Sequence, residues 1–516
     1  MGDATRRTYA QLEPGRYHSR FRIRRPMMQE PWLGWGDATR RTYAQLEPGC
    51  QPSPSAFPPM KIFRPSQPLD AIVFYSLLVV IALVAIPYGA AEPWWKSLFQ
   101  CVVFALAGLS MAGKLLAGDS IVNKYSRSDY QLLWPVLALI AFAGLQTFSL
   151  PGRSATLSAD PFQTRQFIVQ LFALAVVGWL LITHTTGRRR LRYLVEVVIA
   201  VATITAIFGL WRQASQRSPG FVLPHLLPGY GYAQFINANH FAFLMEMALG
   251  LALGIVVCRG VTGKRLAIYL AAAVPMWIAV VLSNSRGGIL SILCQVLFLA
   301  LLSGVGRTSD EVEDRRRGFA SGLVRASRSL AARVVLVTTL LAGAITTVVL
   351  VGGDPLAGKV ESIAVELDRK TADVYTLRPS IWRATWKLIK DNPVAGVGFG
   401  GYWIAITKYH VASGETTPQE AHNEYLELLA SGGVIGVAIG VWFTVALIST
   451  ARGRLRNADP YHRAVKLGAL AGIFTVAVHS LVDFGLHITI NALVFTVLVS
   501  IIAVNGAKLE AESSKY

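Results

Sequence analysis

The sequence predicts an all-α polytopic membrane protein with about twelve transmembrane helices, both termini in the cytoplasm, and one large helical loop on the outer face between helices 9 and 10. Three observations predict this class. Of 516 residues, 53% are hydrophobic and only 15% charged, against roughly 25% charged in an ordinary soluble domain. A water-soluble globule cannot hide that much apolar side chain, and a disordered chain would not contain it. The apolar residues fall in blocks long enough to cross a hydrocarbon layer of roughly 30 Å. Lys and Arg crowd into alternate connections between those blocks, as they do in cytoplasmic loops. The formal charge of +19 is explained there, and no nucleic-acid-reading motif accompanies it. Cys101, Cys258 and Cys294 lie in or at the ends of apolar blocks, so with Cys50 they outline neither a disulfide framework nor a zinc site.

Residues 1–66 come first, polar and Pro-rich, with eleven Lys+Arg and five acids. They read as a disordered basic cytoplasmic tail. A 14-residue segment, GDATRRTYAQLEPG, occurs at Gly2–Gly15 and again at Gly36–Gly49. One pair of repeats is too few for a solenoid, which needs at least about three. The duplication therefore suggests a recent copying event or an over-extended start with Met60 as initiator, and the tail is assigned no chemistry. The first apolar block begins near Leu69 and is long enough to stay as an anchor, so no cleavable signal peptide is expected.

The spans are expected at about 69–88, 95–117, 131–150, 164–184, 193–211, 240–258, 266–283, 288–304, 334–351, 433–450, 467–483 and 487–505. Connections after even-numbered spans carry Lys124, Arg127, Arg188 to Arg190, Arg192, Arg259, Lys264, Arg265, seven arginines from Arg307 to Arg333, and Arg452, Arg454, Arg456, Arg463 and Lys466. Short outer connections carry Lys96, Arg153, Arg165, Arg212, Arg217 and Arg286. An even number of spans keeps this asymmetry; an odd number breaks it.

The outer loop, 352–431, is patterned. Ser380 is placed to N-cap a short helix ending at Asn392-Pro393, with Ile381, Trp382, Trp386 and Ile389 as its apolar stripe. Arg383, Lys387 and Lys390 lie beside the stripe, as in a helix resting on a lipid surface. The run Gly396-Val-Gly398-Phe-Gly400-Gly401 follows. It satisfies G-x-G-x-x-G literally, but no strand precedes it, so it reads as a tight loop rather than a dinucleotide site. A second helix is expected to open at Thr417-Pro418-Gln419-Glu420, a capping box with proline in the first helical position. It would carry His422 and close at Gly432-Gly433, where the tenth span begins.

Chemistry outside the cytoplasmic membrane has no ATP and needs an activated substrate, typically a sugar on a polyprenyl diphosphate. Transfer from it requires guanidinium groups to hold the departing phosphates and a base to take the acceptor's proton. The outer face offers Arg286, Arg378 and His422. Near a helix N-terminus the dipole would keep His422 neutral and able to accept a proton; the alternative is a histidine that bonds only within its loop. Arg286 either grips phosphate or snorkels to the headgroups. Arg378 either does the same work or is a solvated charge, and Arg383 competes with it on the same helix. Asn237, Asn239 and His240 at the start of the sixth span, and His479, Asp483 and His487 in the last outer turn, read first as caps and inter-helix hydrogen bonds. Sparse ligands on the outer loops give no metal site. A solute transporter is the alternative class, but carriers gather polar groups near the bilayer midplane in repeated halves, which this chain does not display.

These residues resemble a known family. His422-Asn423, nine residues, then Gly433-Val-Ile-Gly436 is similar to the signature of the O-antigen ligase and polymerase superfamily of bacterial membrane glycosyltransferases. Arg378–Trp382, Asn392-Pro393, Gly396–Gly400, Ser285-Arg286-Gly287 and Phe235–Phe241 agree with it in order, over roughly residues 200–500. The resemblance implies a transmembrane ligase-like domain over 67–510 with a periplasmic loop, in the inner membrane. It implies a metal-independent, inverting transfer of a glycan from undecaprenyl diphosphate to an acceptor hydroxyl, with no cofactor. The acceptor would be lipid A-core or a lipid-linked repeat unit, the fragment Arg378–Gly401 leaning towards exopolysaccharide polymerases; some relatives glycosylate protein. In this reading Arg286 and Arg378 hold the diphosphate and His422 serves the acceptor hydroxyl, with Arg383, Asn239, Asn423 and Asp483 as further candidates.

Overall fold

The computed structural model describes residues 66–116, 130–149, 156–215, 231–304, 378–410, 418–456 and 458–505, all within one of two units, Phe63–Tyr516. Among the described residues the elements are helices, joined by turns and two isolated β-bridges. The longer ones are α1 (Ser66–Val84), α2 (Pro93–Leu116), α3 (Leu133–Gln146), α4 (Pro161–His184), α5 (Arg188–Ser215), α6 (Ala238–Val257), α7 (Lys264–Leu282), α8 (Arg286–Gly304), α9 (Arg378–Asp391), α10 (Glu424–Leu455), α11 (Pro460–His479) and α12 (Thr489–Ala503). Six of these, α2, α4, α5, α6, α7 and α10, are long and apolar enough to cross a membrane. Five more expected spans coincide with α1, α3, α8, α11 and α12; the ninth, near 334–351, and the tail 1–66 lie outside the described residues.

The bundle has two ends, and side-chain contacts identify which connection lies at which. At one end, His184 closing α4 meets Asp70 of α1 (Nδ1–Oδ1 2.5 Å) and Ser110 of α2 (Nε2–Oγ 2.8 Å). Arg190 reaches the same Asp70, Arg188 pairs with Asp459 at 3.9 Å, and Lys466 donates to the Val504 carbonyl at 2.7 Å. At the other end, Thr489 donates to the Ala90 carbonyl at 2.7 Å, and Gln146 donates to the carbonyls of Ala395 (2.7 Å) and Ser431 (2.9 Å). These contacts place the α4–α5 and α10–α11 connections, with Arg188 and Arg190, at the first end, and the α1–α2 and α11–α12 connections at the second. The second end carries α9 and the loop, and is called the loop end below.

The core is built around α6, which is almost wholly buried. Its closest partner is α11, because glycines face each other: a Cβ on Gly254 would lie 2.2 Å from Gly468 Cα, and one on Gly250 2.5 Å from Gly472 N. Small residues let helices approach closely where lipid removes the hydrophobic drive to pack.

The loop end differs from expectation in three ways. First, α9 begins at Arg378, not after Ser380, because Pro379 sits in the first turn, where no amide needs an intrahelical partner. Second, its buried face is Ile381, Ala384, Thr385, Leu388 and Ile389; Trp386 is 48% exposed beside Arg383, Lys387 and Lys390. That buried face packs on Val397, Tyr402, Ile406, Ala421 and Ala430, a small core belonging to the loop itself. Third, no helix starts at the Thr417 capping box. Thr417 lies outside the described residues, Pro418–Asn423 is non-helical, and α10 starts at Glu424 with Asn423 as N-cap, accepting from the amides of Tyr425 and Leu426 at 3.0 Å.

The break at Gly433 occurs where the sequence expects it. Gly433 has φ +59° and ψ −161° inside α10, a conformation that costs a Cβ-bearing residue. A Cβ there would also meet the Val394 carbonyl at 2.2 Å. The amides freed by the break are taken up by the loop: Val434 donates to Pro393 O at 2.9 Å and Ile435 to Val394 O at 3.3 Å. The glycine-rich loop is therefore stitched into the broken helix, a tight loop and not a nucleotide cradle.

Candidate active site

Three elements converge on Asp483 at the loop end. Asp483 lies in the turn between α11 and α12 and is fully buried. Arg378, first residue of α9, donates from Nη2 to its Oδ2 at 3.0 Å. Asn239, in the first turn of α6 behind the N-cap Asn237, donates to the same oxygen. His422 places Nδ1 3.4 Å from Oδ1, and the Phe484 amide donates to Oδ1 at 2.9 Å. Burial alone would raise the Asp483 pKa. The His422 hydrogen bond, the Arg378 charge and the Phe484 amide outweigh burial and bring it down to about 2. The carboxylate is therefore charged throughout the neutral range.

His422 is not on a helix, as the sequence reading had it, but immediately before the α10 N-cap with φ +51°. Its neighbours hold it there. Asn423 Nδ2 donates to Leu481 O at 2.8 Å, the Glu424 amide to Ser480 O at 3.0 Å, and Trp382 Nε1 to Ala421 O at 2.9 Å. Asn423 thus both caps α10 and tethers the segment to the turn after α11. The His422 ring meets Phe484 edge-on at 4.8 Å, and His240 does the same to that ring, also at 4.8 Å. Because Nδ1 faces Asp483, Nε2 is the nitrogen turned to other partners.

Arg286 opens α8 and is exposed. Its chain neighbour Ser285 joins it to the Asp483 group: Ser285 Oγ donates to Asn239 Oδ1 at 2.7 Å and accepts from the Gly288 amide at 3.1 Å. Arg378 and His422 are partly exposed, at 42% and 32% of their side chains, while Asp483 is at 0%. A buried anion thus presents a guanidinium and an imidazole to an open surface. Arg383 does not join them; it lies on the exposed face of α9 with Trp386.

Sequence reasoning missed a cluster next door. His487, in the turn before α12, sets Nδ1 3.2 Å from Glu420 and Nε2 3.5 Å from Glu424 and 3.6 Å from Glu427. Among the described residues Glu420, Glu427 and His487 form the one group whose donor atoms are close enough, within 4.8 Å, to hold a metal ion. The sequence hid it because His487 lies some sixty residues beyond the acids, although the i, i+3 pair Glu424 and Glu427 was visible. Burial opposes charge on His487, but Glu420, Glu427 and Glu424 outweigh it and hold the imidazolium well above its ordinary range. His487 in turn, against burial, draws Glu420 down to about 2.

A group whose folded pKa is raised stabilises the fold fully below its unfolded value, about 6.5 for histidine, and loses that contribution as pH rises through the folded value. The melting temperature of the purified protein is therefore expected to fall as the pH rises above about 6.5. His487→Gln should flatten that slope; an unchanged slope would remove the cluster as its cause.

Comparison of the whole chain with curated proteins gives no match. Residues 271–441 match the family model described as O-Antigen ligase. Arg286, Arg378 and His422 fall inside the matched segment; Asn239 and Asp483 fall outside it, and it is the fold that brings them in.

Proposed function

We propose that this chain, whose residues 271–441 belong to the O-antigen ligase family, transfers a glycan from undecaprenyl diphosphate to an acceptor hydroxyl at the outer face of the bacterial inner membrane. The observation that carries the reading is the single buried carboxylate, Asp483, joined to both Arg378 and His422 at an open surface. The loop end is the outer face in this reading, because the arginine-rich connections gather at the other.

In the reaction the acceptor hydroxyl gives its proton to His422 Nε2 as its oxygen bonds the anomeric carbon. The bond from that carbon to the phosphate oxygen breaks on the opposite side, and the configuration inverts. The electron pair leaves with undecaprenyl diphosphate, whose added charge Arg286 and Arg378 hold through paired N–H groups. Asp483 orients the imidazole through Nδ1 and offsets the positive charge it acquires, as the carboxylate of a catalytic triad does. The three protein groups supply the charge stabilisation and base this transfer needs, without a metal or cofactor. The acceptor is lipid A-core or a further lipid-linked repeat unit.

Deletion of the gene followed by analysis of surface polysaccharide tests this. Core-only lipid with accumulated lipid-linked polymer is the ligase outcome, and single repeats are the polymerase outcome. Unchanged glycan with altered solute uptake would overturn the proposal in favour of a carrier.

A further inference from the structure

A second polar pair lies beside the Asp483 group, and the chemistry above leaves it without a task. Glu246 of α6 and His479, the last residue of α11, are fully buried, with His479 Nδ1 2.7 Å from Glu246 Oε1. The His479 ring stacks on Phe243 at 4.2 Å. Among the described residues, the remaining atoms, Glu246 Oε2 and His479 Nε2, find no hydrogen-bond partner. Ionisable groups inside an apolar bundle are costly, and they mark function by default. As packing alone, an apolar pair of the same volume would serve as well or better.

Both members lie against the turn that carries Arg286. A Cβ on Gly287 would come within 2.5 Å of His479 Nε2, and one on Gly288 within 3.2 Å of Glu246 Oε1. The two glycines after Arg286 therefore let the start of α8 settle directly onto the pair. His479 also reaches the other half of the site. Its carbonyl accepts from the amides of Val482 at 2.9 Å and Asp483 at 3.2 Å, so it begins the turn that presents Asp483.

We infer that Glu246 and His479 are positioning residues that register Arg286 against the Asp483, Arg378 and His422 group, so that the two guanidinium groups meet one diphosphate at one spacing. Glu246 fixes the rotation of the His479 ring through Nδ1, the ring edge supports Gly287, and that turn aims Arg286. Neither side chain touches the reacting atoms. This rests on the donor reading proposed above, and a misplacement of about 1 Å can cost about 100-fold where orientation matters.

The test measures binding of sugar-free undecaprenyl diphosphate to the purified full chain in nanodiscs, with wild type and Arg286→Ala as the two limits. Glu246→Leu and Gly287→Ala are expected to weaken binding at least about tenfold. Glu246→Gln keeps an acceptor for Nδ1–H and should stay within about threefold of wild type. Ser291→Ala, which alters a buried hydroxyl elsewhere on α8, should bind as wild type does. In the transfer assay the first two variants should raise KM for the donor and leave KM for the acceptor unchanged. Wild-type binding by Glu246→Leu and Gly287→Ala, while Arg286→Ala still loses the probe, would overturn this inference and leave the proposed function standing. Equal binding by wild type and Arg286→Ala would instead overturn the donor reading and this inference with it. If Glu246→Leu does not accumulate in the membrane, Gly287→Ala decides, since it removes no polar group.

Discussion

His422→Ala is expected to lower glycan transfer by about 100- to 10,000-fold, the range that a positioned base contributes, while the protein stays in the membrane at its normal level. The imidazole is only one partner of Asp483, which keeps Arg378, Asn239 and the Phe484 amide when the ring is gone. The backbone at position 422 is held by its neighbours Ala421, Asn423 and Glu424 rather than by the imidazole. The loss should therefore lie in turnover, with the donor KM little changed. Donor and acceptor kinetics in nanodiscs check this, with thermal unfolding as the control for folding. Normal transfer by a well-folded His422→Ala would remove the residue from the mechanism.

Loss of either guanidinium should be as severe but differently distributed. Arg286→Ala and Arg378→Ala are expected to abolish detectable transfer. Arg286→Lys and Arg378→Lys should still fall by at least about tenfold, because an ammonium is a point charge that cannot give two parallel N–H bonds to a phosphate. The case is strongest for Arg378, which already spends one Nη on Asp483 at 3.0 Å. A lysine there must choose between Asp483 and the substrate. Arg378→Ala also removes a charged hydrogen bond to the buried carboxylate, a cost of about 1–3 kcal/mol in stability. Steady-state KM for the lipid-linked donor, with melting temperatures of all four variants, separates these effects. A wild-type donor KM in the two lysine variants would mean that charge alone, not the planar fork, binds the diphosphate.

Much of the architecture was legible because lipid imposes a simple rule. A helix that crosses it must be apolar for about twenty residues, so the helices near 95–117, 164–184 and 240–258 lie where hydropathy put them, within a few residues. The basic residues Arg190 and Arg188, counted from the sequence, do meet the start of α1 and the segment before α11 at one end of the bundle. The break at Gly433 was readable from paired glycines. The capping box at Thr417 misled because its local pattern competes with a longer-range one: Glu420, the acid meant to close it, faces His487 instead. Trp386 misled because period alone does not say which side of an amphipathic helix finds a partner, and the loop core took Ala384, Thr385 and Leu388.

The candidate site divides in the same way. Arg286, Arg378 and His422 stood out from residue type, placement and motif, and Asn239 and Asp483 were visible only as polar residues near helix ends. What binds four of them together is one buried carboxylate contacted by three side chains from α6, α9 and the segment before α10. By itself the sequence determined that the chain is a helical membrane protein, which end of each helix is basic, and which residue types stand ready for phosphate and proton chemistry, because these depend on local composition and period. Only the tertiary structure decided that Asp483 is the hub, that Glu246 and His479 lie against the Arg286 turn, and that Arg383 stands apart. Those are contacts between residues up to about 240 positions apart in the chain, and a contact of that kind exists only once the helices have packed.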